Sequence, residues 1–537
     1  MAASSTLVEA WTSRVAAHPD STAIAYFDGR LTAREVDELS DALASALYDK
    51  GVRHGDHVGI HLQNIPQYAI AFLALWKLGA AALVLNPMYR KAELRRLIDD
   101  AEAVGVICAD TAVEENLDSL RESSVRWLMG TSGLDFQTRS DPRVFETAER
   151  PRWEGVDDLL DAIRRFEGVR PEPVDVAPDD VAILAYTSGT TGPPKGALNT
   201  HANVLAVATT FGDHALIGDG DVVLAVAPLF HITGAVINAA LALIRDVTLV
   251  FANRFVADVV LDAFAEHGVT YTIGSITVFN ALYASSTATK QHFESVRALY
   301  SGGAPIPPAA VEKFESRFGH YIHNAYGMTE TSSGVIAVPP GSRAPVDAAS
   351  GALSIGKALP HAEIRIVDPE GSPLPDGTQG ELEIAGPQVV SGYWRKPDAT
   401  GATFPGGRLR TGDVAIRDEA GWIYLVDRLK DQINVSGYKV WPREVEGALH
   451  EHPLVHEAGV VGRPDNYQGE SVVAYVSLVP DAHVTEQELI SFVGDRLAAY
   501  KRPKQVHVVA ELPKTQTGKI RRTELRDALT PTEKAIR

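Results

Sequence analysis

An apolar segment that runs into a glycine-rich loop constrains the fold of this 537-residue chain more than any other feature. Val181–Tyr186 is an apolar run typical of a buried strand, and residues 187–196 are rich in glycine and threonine and contain one lysine. Glycines let backbone N–H groups approach phosphate oxygens, hydroxyls donate further hydrogen bonds, and Lys195 supplies positive charge. The loop is not a Walker A motif, because Pro194 and Gly196 flank the lysine. The sequence therefore predicts a phosphate-binding loop at the end of a sheet.

Composition excludes several classes of function. The chain carries 50 Lys and Arg against 69 Asp and Glu, a net charge of −19, which argues against nucleic-acid binding. The N-terminus has no basic region followed by an apolar core, and charges interrupt the longest apolar stretches, so we expect neither a signal peptide nor a membrane span. The only cysteine, Cys108, cannot form an internal disulfide. A cytoplasmic protein is expected, and a homodimer remains open.

The pattern of elements predicts an α/β fold with more than one domain, since the chain exceeds the size of a single core. After a capping box at Thr32 and Glu35, helical and strand patterns alternate up to Cys108. They resume after the glycine-rich loop and continue to Ser301, which indicates two α/β layered subdomains. Residues 111–178 are polar and carry no pattern that we interpret. Short alternating strands from about residue 355 predict a small β subdomain, and the last hundred or so residues a small α+β domain.

Four further stretches have the look of a ligand site, because each forms a loop after an apolar segment. They contain His231, Ser301-Gly-Gly-Ala-Pro305, Asn324-Ala-Tyr-Gly-Met-Thr-Glu330 and Asp413. Taken singly, each has an ordinary structural interpretation: a structural histidine, a core aromatic at Tyr326, an acidic residue at a helix start, or a turn former.

Together with the glycine-rich loop and with residues 427–441 and 513–522, these stretches resemble the adenylate-forming superfamily. That superfamily includes acyl-CoA synthetases, adenylation domains of non-ribosomal peptide synthetases and beetle luciferases. The resemblance covers nearly the whole chain, with the motifs in the family's order. It implies that a carboxylate attacks the α-phosphate of ATP to give an acyl-adenylate and pyrophosphate. A thiol then takes the acyl group and AMP leaves, so the resemblance implies ATP, Mg²⁺ and CoA.

The resemblance also implies roles for individual residues. Lys519, Glu330 and Lys195 would be catalytic, and Glu330 would position Mg²⁺. The implied ATP and AMP contacts are Thr187, Ser188, Gly189, Thr190, Thr191, Gly192, Lys195, Gly303, Ala304, Pro305, Asn324, Tyr326, Gly327, Met328, Thr329, Asp413, Arg428 and Lys519. Among them, the resemblance implies that Gly303, Ala304, Pro305, Asn324 and Tyr326 surround adenine. It also implies that Asp413 and Arg428 contact the ribose.

The implied small domain is mobile and rotates between the two half-reactions. Its hinge would be Lys430, which divides the chain into an N-terminal domain of residues 1–429 and a C-terminal domain of residues 430–537. Rotation would withdraw Lys519 and bring the CoA-binding residues Ser436, Gly437 and Tyr438 to the site.

Departures from the family's pattern narrow the acid substrate. Amino-acid-activating relatives have an aspartate in the segment of His231, luciferases have a lysine where Ser436 stands, and acetate-activating relatives have a tryptophan where Gly327 stands. Gly302, Gly303 and Gly327 are therefore expected to leave an open acyl pocket beside His231. We expect a medium- or long-chain fatty acid–CoA ligase. Alternatives are an aryl or alicyclic acid–CoA ligase, an acyl-AMP ligase that loads a carrier protein, and a non-catalytic ATP-binding relative.

Overall fold

The structure is a computed structural model, and it describes residues 4–146, 149–187, 194–304, 306–348, 351–428, 431–436, 438–465, 468–514 and 519–527. Several residues singled out from the sequence lie outside the described residues: Ser188, Gly189, Thr190, Thr191, Gly192, Pro305, Lys430 and Gly437.

The first two hundred residues contain all the strands of a seven-stranded sheet that has helices on its faces. Its strand order is β7-β6-β5-β3-β4-β8-β9, and every neighbouring pair is parallel except β8 and β9. The elements are α1 (Leu7–Ala17), β1 (Thr22–Tyr26), β2 (Gly29–Thr32), α2 (Ala33–Asp49), β3 (His57–His61), α3 (Pro66–Lys77), β4 (Ala81–Val84), α4 (Lys91–Asp100), β5 (Gly105–Ala109), α5 (Asp110–Arg121), β6 (Trp127–Thr131), β7 (Asp157–Asp158), α6 (Leu159–Arg165), β8 (Val181–Tyr186) and β9 (Gly196–Thr200).

Local sequence explains two of these helices. α2 starts at the predicted capping box: the Thr32 hydroxyl accepts from the Glu35 amide, and the Glu35 carboxylate accepts from the Thr32 amide at 2.7 Å. α3 is apolar all round, and each of its residues from Pro66 to Trp76 is buried. A helix of that kind belongs inside a large core, and α3 packs against α2 and the parallel strands.

The next part of the chain builds a nine-stranded sheet whose order is β16-β15-β14-β13-β12-β10-β11-β1-β2. Its centre is parallel, and β2, β15 and β16 run antiparallel to their neighbours. A π-helical segment, Gly234–Ala240, runs directly into α8. The elements are α7 (His201–His214), β10 (Val222–Leu224), α8 (Leu241–Ile244), β11 (Thr248–Phe251), α9 (Ala257–His267), β12 (Tyr271–Gly274), α10 (Ile276–Ala284), β13 (Ala298–Gly302), α11 (Pro308–Phe318), β14 (Ile322–Met328), β15 (Ser333–Ala337) and β16 (Lys357–Ala358).

Two smaller sheets complete the chain. The four-stranded antiparallel sheet β17-β18-β19-β20 has its own apolar cluster, and the five-stranded sheet of β21 to β25 has another. The elements are β17 (Glu363–Val367), β18 (Gly380–Ala385), α12 (Pro397–Thr403), β19 (Leu409–Arg417), β20 (Ile423–Arg428), β21 (Ile433–Val435), β22 (Tyr438–Val440), α13 (Pro442–His450), β23 (Val455–Asp465), β24 (Gly469–Leu478), α14 (Glu486–Gly494), β25 (Gln505–Val508) and α15 (Arg522–Asp527).

The predicted fold class is confirmed: a large N-terminal part of two α/β layers with a small β subdomain, followed by a small α+β domain. The four-stranded sheet ends at Arg428 and the last sheet begins at Ile433, while the boundary at Lys430 itself stays a prediction. Residues 111–178, which the sequence left without an interpretation, contain most of α5 together with β6, β7 and α6. In the described residues, no helix combines the length and apolar character needed to cross a membrane.

Candidate active site

The two ends of the glycine-rich loop are held together at the edge of the seven-stranded sheet. Tyr186 pairs with Gly196 across β8 and β9, and the Thr187 amide donates a 2.9 Å hydrogen bond to the Lys195 carbonyl. The Tyr186 hydroxyl also donates to a carboxylate oxygen of Asp100 at 2.6 Å. The strand predicted at Val181–Tyr186 is therefore confirmed, and β9 adds an antiparallel partner that the sequence did not predict. They place Lys195 at the base of the loop.

Lys195 and Glu330 contact the same tyrosine, one at its ring and the other at its hydroxyl. The Lys195 Nζ lies 4.3 Å from the ring centroid of Tyr393, whose hydroxyl donates a 2.6 Å hydrogen bond to Glu330 Oε1. Burial and the neighbouring Glu330 raise the pKa of Tyr393, so its hydroxyl remains protonated. The sequence did not point to Tyr393 as a site residue. It shows there only two adjacent aromatic residues after Gly392, between a strand and a helix. The structure thus unites two predicted catalytic residues through one that was not predicted.

Glu330 stands on a strained turn between β14 and β15. Thr329–Thr331 forms a single 3₁₀ turn, after which Ser332 and Ser333 have φ values of 49° and 104°. Such values cost about 1–3 kcal/mol each in a residue with a side chain. The Ser332 hydroxyl donates to Asn199 Oδ1 at 2.9 Å, and the Thr331 hydroxyl donates to the Ser333 carbonyl at 2.6 Å. These bonds hold the turn, and with it Glu330, in one conformation.

The donor chemistry around Glu330 suits Mg²⁺ that is shared with phosphates. Glu330 is 6% exposed, and nowhere in the described part of the chain do three or more His, Cys, Asp or Glu side chains converge as a metal cage. Mg²⁺ usually takes one or two carboxylates from a protein and completes its shell with waters and substrate phosphates. A single buried carboxylate at the phosphate end of the site fits that pattern.

Asp413 and Tyr326 form a second buried pair. The Tyr326 hydroxyl donates to Asp413 Oδ2 at 2.7 Å, and the two residues are 9% and 5% exposed. Asp413 pairs with Arg428 across β19 and β20, although the Arg428 side chain lies outside the described residues. Asp413 has a carboxylate geometry suited to accept two hydroxyl groups, as its predicted ribose role requires.

Of the residues predicted to surround adenine, Gly303 and Ala304 follow β13, while Asn324 and Tyr326 lie in its parallel neighbour β14. Asn324 is buried, and its Nδ2 donates to the Ser354 carbonyl at 3.2 Å. Gly303 is exposed with a φ of +81°, which favours glycine, and Ala304 follows it half-buried. The Met328 amide donates to the Thr331 hydroxyl at 2.9 Å, directly before Thr329. The two parallel strands therefore bring these residues together in the nine-stranded sheet.

The open acyl pocket expected at Gly302, Gly303 and Gly327 stays a prediction, and backbone fills the space that a Cβ would take at Gly327 and Gly302. A Cβ at Gly327 would lie 1.8 Å from the Ser333 carbonyl oxygen, and one at Gly302 would lie 2.8 Å from the Ala325 oxygen. These glycines therefore admit neighbouring backbone, because β14 and β15 approach closely at the strained turn. Only at Gly303 does a Cβ meet no described atom within 4 Å. Of these three glycines, only Gly303 thus has open space where a Cβ would lie.

Lys519 approaches the N-terminal part of the chain at His231. Burial and the nearby Lys519 ammonium lower the pKa of His231 to about 4, so the imidazole is neutral near pH 7. Its Nδ1 accepts a 3.3 Å hydrogen bond from the Thr233 amide, which leaves the proton on Nε2. The structure therefore brings the predicted catalytic lysine to the residue predicted to mark the acyl pocket.

Arg522 anchors the segment that carries Lys519. Its guanidinium contacts Glu446 at 2.7 Å, Asp431 at 3.2 Å and Asp427 at 3.5 Å, and it is only 16% exposed. Asp427 belongs to β20, whereas the other two carboxylates belong to the C-terminal part. The sequence named Arg522 only as part of a motif, because its partners are distant in the chain. Glu446 lies 76 residues before Arg522, and Asp431 lies 95 residues before Arg526, which it also contacts.

Of the residues predicted to bind CoA, Ser436 directly follows β21 and Tyr438 begins β22. The Ser436 amide donates to the Gln468 carbonyl at 2.7 Å, and Ser436 has a φ of 50°. Tyr438 is 60% exposed and stacks on Tyr500 with ring centroids 4.8 Å apart. These contacts are all with the C-terminal part, whereas Lys519 reaches the N-terminal part.

Comparison with known proteins agrees with this geometry. The chain matches a family model described as AMP-binding enzyme over residues 11–394 and one described as AMP-binding enzyme C-terminal domain over residues 444–519. It is 33% identical to the long-chain-fatty-acid–CoA ligase of Escherichia coli O6:H1, over 97% of this chain and 94% of that protein. It is also 33% identical to 4-coumarate–CoA ligase 2 of Oryza sativa subsp. japonica, over 96% of this chain and 91% of that protein.

Solved structures show the same fold. ATP-bound MatB from Rhodopseudomonas palustris has a TM-score of 0.86 at 28% identity, with 98% of this chain and 99% of that chain covered. The apo structure of the same protein has a TM-score of 0.75. The arrangement of this chain thus resembles the ATP-bound form more than the apo form. The chain belongs to the AMP-binding enzyme family, within the adenylate-forming superfamily that its motifs resemble.

Proposed function

We propose that this enzyme is an ATP-dependent carboxylic acid–CoA ligase that forms AMP, with a medium- or long-chain fatty acid as its substrate. ATP, CoA and Mg²⁺ are then its co-substrates and metal ion. The observation that carries the proposal is the contact of Lys195 and Glu330 with one side chain, Tyr393, at the base of the glycine-rich loop. The Lys519 ammonium, which lowers the pKa of His231, supports the proposal from the C-terminal part.

The first half-reaction needs positive charge where two anions approach each other. Lys519 would stabilise the charge that develops between the carboxylate and the α-phosphate, and the neutral His231 would donate a hydrogen bond from its Nε2–H to the carboxylate without adding a charge. Lys195 would stabilise the leaving pyrophosphate, while Asp413 would accept the ribose hydroxyls. Mg²⁺, held by Glu330, would neutralise phosphate charge when bound.

The second half-reaction would require a different arrangement of the C-terminal domain. A rotation at Lys430 would separate Arg522 from Asp427 in β20, because they lie on opposite sides of that residue. Arg522 would keep Asp431 and Glu446, which move with it. Ser436, Gly437 and Tyr438 would then replace Lys519 at the site and receive the pantetheine arm.

Similarity along the whole chain to a long-chain-fatty-acid–CoA ligase supports the choice of a fatty acid. An aryl or alicyclic acid is the second candidate, because the rice relative named 4-coumarate–CoA ligase is equally similar. The glycines do not support the choice of a long acid, since backbone fills the space that a Cβ would take at Gly327 and Gly302.

Location and assembly belong to the same proposal. The single thiol, Cys108, is buried, and burial raises its pKa to about 12. An inert, buried thiol is compatible with the cytoplasmic location that we propose. Whether the enzyme is a homodimer is a question for light scattering.

A panel of acids tests the proposal directly. AMP formation would be measured with ATP, Mg²⁺ and CoA for fatty acids of rising length and for benzoate and coumarate. The highest kcat/KM for acids of about eight carbons or more supports the proposal, and a preference for aryl acids overturns the substrate assignment. Acid-dependent pyrophosphate release without any CoA product would identify a carrier-loading enzyme. No acid-dependent pyrophosphate release would contradict the ligase assignment itself.

A further inference from the structure

Tyr393 contacts two groups of opposite charge that belong to different sheets. Its hydroxyl donates to Glu330 Oε1 at 2.6 Å, and Lys195 Nζ lies 4.3 Å from its ring centroid. Lys195 directly precedes β9 of the seven-stranded sheet, and Glu330 follows β14 of the nine-stranded sheet. Tyr393 itself comes from the segment between β18 and α12. One side chain therefore lies where all three sheets of the N-terminal part meet.

We propose that Tyr393 is the positioning residue for the pyrophosphate side of the site, where it orients the Glu330 carboxylate and holds the Lys195 ammonium apart from it. The proposal rests on the proposed function, because it assigns Glu330 to Mg²⁺ and Lys195 to the leaving pyrophosphate. It adds a residue that neither the motifs nor the comparisons assign.

The backbone around Tyr393 is fixed on both sides. The Leu198 amide donates to the Gly392 carbonyl at 3.1 Å, and the Trp394 amide donates to the Gly196 carbonyl at 2.8 Å. The Val390 amide donates to the Glu330 carbonyl at 3.0 Å. The segment therefore pairs with β9 and with the Glu330 turn at once. Its tyrosine has little freedom to leave either partner.

The chemistry of a tyrosine suits this place. The phenol hydroxyl donates to one Glu330 oxygen and leaves the other for a metal ion. The ring attracts the ammonium without neutralising it. In the described residues, Lys195 and Glu330 form no direct ion pair, which would consume both charges. The tyrosine thus keeps both charges available to a triphosphate.

Two substitutions separate the hydroxyl from the ring. Tyr393→Phe keeps the ring and loses the bond to Glu330, whereas Tyr393→Leu loses both contacts. The matched control is Tyr424→Phe, which removes a 2.9 Å hydrogen bond to Asp418 in the same β subdomain. Thermal unfolding of each full-length variant checks that the fold is retained.

The readout is binding, measured by calorimetry without an acid so that no chemistry occurs. For Tyr393→Phe, we expect the Mg²⁺ affinity of the ATP complex to fall about 10- to 100-fold, the usual effect of losing a partner of a metal ligand. Its pyrophosphate affinity should equal that of the wild type. Tyr393→Leu should show the same Mg²⁺ effect and bind pyrophosphate about 2- to 30-fold more weakly. The control should change neither value.

Glu330→Gln distinguishes failure of this inference from failure of the proposed function. If Glu330→Gln weakens Mg²⁺ binding while Tyr393→Phe binds Mg²⁺ like the wild type, the role of Tyr393 is refuted and that of Glu330 stands. If Glu330→Gln leaves Mg²⁺ binding unchanged, the metal role of Glu330 fails, and the orienting role of Tyr393 fails with it. Should Tyr393→Phe not fold, equal Mg²⁺ and pyrophosphate affinities in Tyr393→Leu and the wild type would refute the inference.

Discussion

Replacing Asp413 by asparagine tests the ribose side of the site. At 5% exposure, Asp413 accepts from the Tyr326 hydroxyl at 2.7 Å and would accept the ribose hydroxyls of ATP. In Asp413→Asn, the amide oxygen can still accept from Tyr326, but the amide nitrogen is a donor. The variant therefore keeps the buried pair and loses an acceptor for ribose.

The magnitude follows from hydrogen bonds to a charged acceptor, which contribute about 1.5–3 kcal/mol each. That range corresponds to about 10- to 150-fold in a dissociation constant. The wild type should thus bind 2′-deoxy-ATP and 3′-deoxy-ATP more weakly than ATP by at least about 10-fold each. In Asp413→Asn, the dissociation constants for ATP and for each deoxy analogue should differ by less than about threefold. A difference of that size is close to the error of treating two changes as additive.

Calorimetry with the three nucleotides and Mg²⁺, without an acid, gives all the constants required. Comparing nucleotides within one variant cancels the effect of removing a negative charge near the triphosphate. Asp418→Asn is the matched control, because Asp418 also accepts from a tyrosine, at 2.9 Å from Tyr424. Full discrimination between ATP and the deoxy analogues in Asp413→Asn would refute the ribose role.

Two further predictions concern His231 and Gly327. Removing the Lys519 charge in Lys519→Met should raise the pKa of His231 from about 4 only part of the way to 6.5, since burial remains the larger cause of the shift. Imidazole chemical shifts in an NMR titration measure this pKa, and an unchanged pKa would show that Lys519 and His231 are not neighbours. Gly327→Ala should lower the free energy of unfolding by about 1–3 kcal/mol, because its Cβ would meet the Ser333 carbonyl at 1.8 Å. Gly401→Ala, in an open position within α12, is the control for denaturant unfolding, and equal stability of the two variants would contradict the close approach.

Much of the fold could be predicted from the sequence, because its signals are local. The capping box at Thr32 and Glu35 depends on residues three positions apart, and the strand Val181–Tyr186 on one apolar run. The helix α5 was missed although Val113, Asn116 and Leu120 bury one of its faces. Its four acidic residues obscure that face in a pattern of apolar residues alone.

The candidate site was predictable only as far as the motifs reach. The approach of Lys519 to His231 agrees with the resemblance, whereas Tyr393 becomes visible only when three sheets meet. Gly327 shows a different limit. A glycine in a sequence does not reveal whether its missing side chain makes room for a ligand or for neighbouring backbone, and here it makes room for Ser333.

The most direct test of the central claim is to measure both half-reactions in Lys519→Met. Adenylation would be followed as acid-dependent exchange of pyrophosphate into ATP, and thioester formation as the reaction of synthetic acyl-AMP with CoA. Because Lys519 would supply charge only to the first step, adenylation should fall at least about 100-fold while thioester formation stays within about threefold of the wild type. An equal loss of both half-reactions, or no loss of adenylation, would contradict the account.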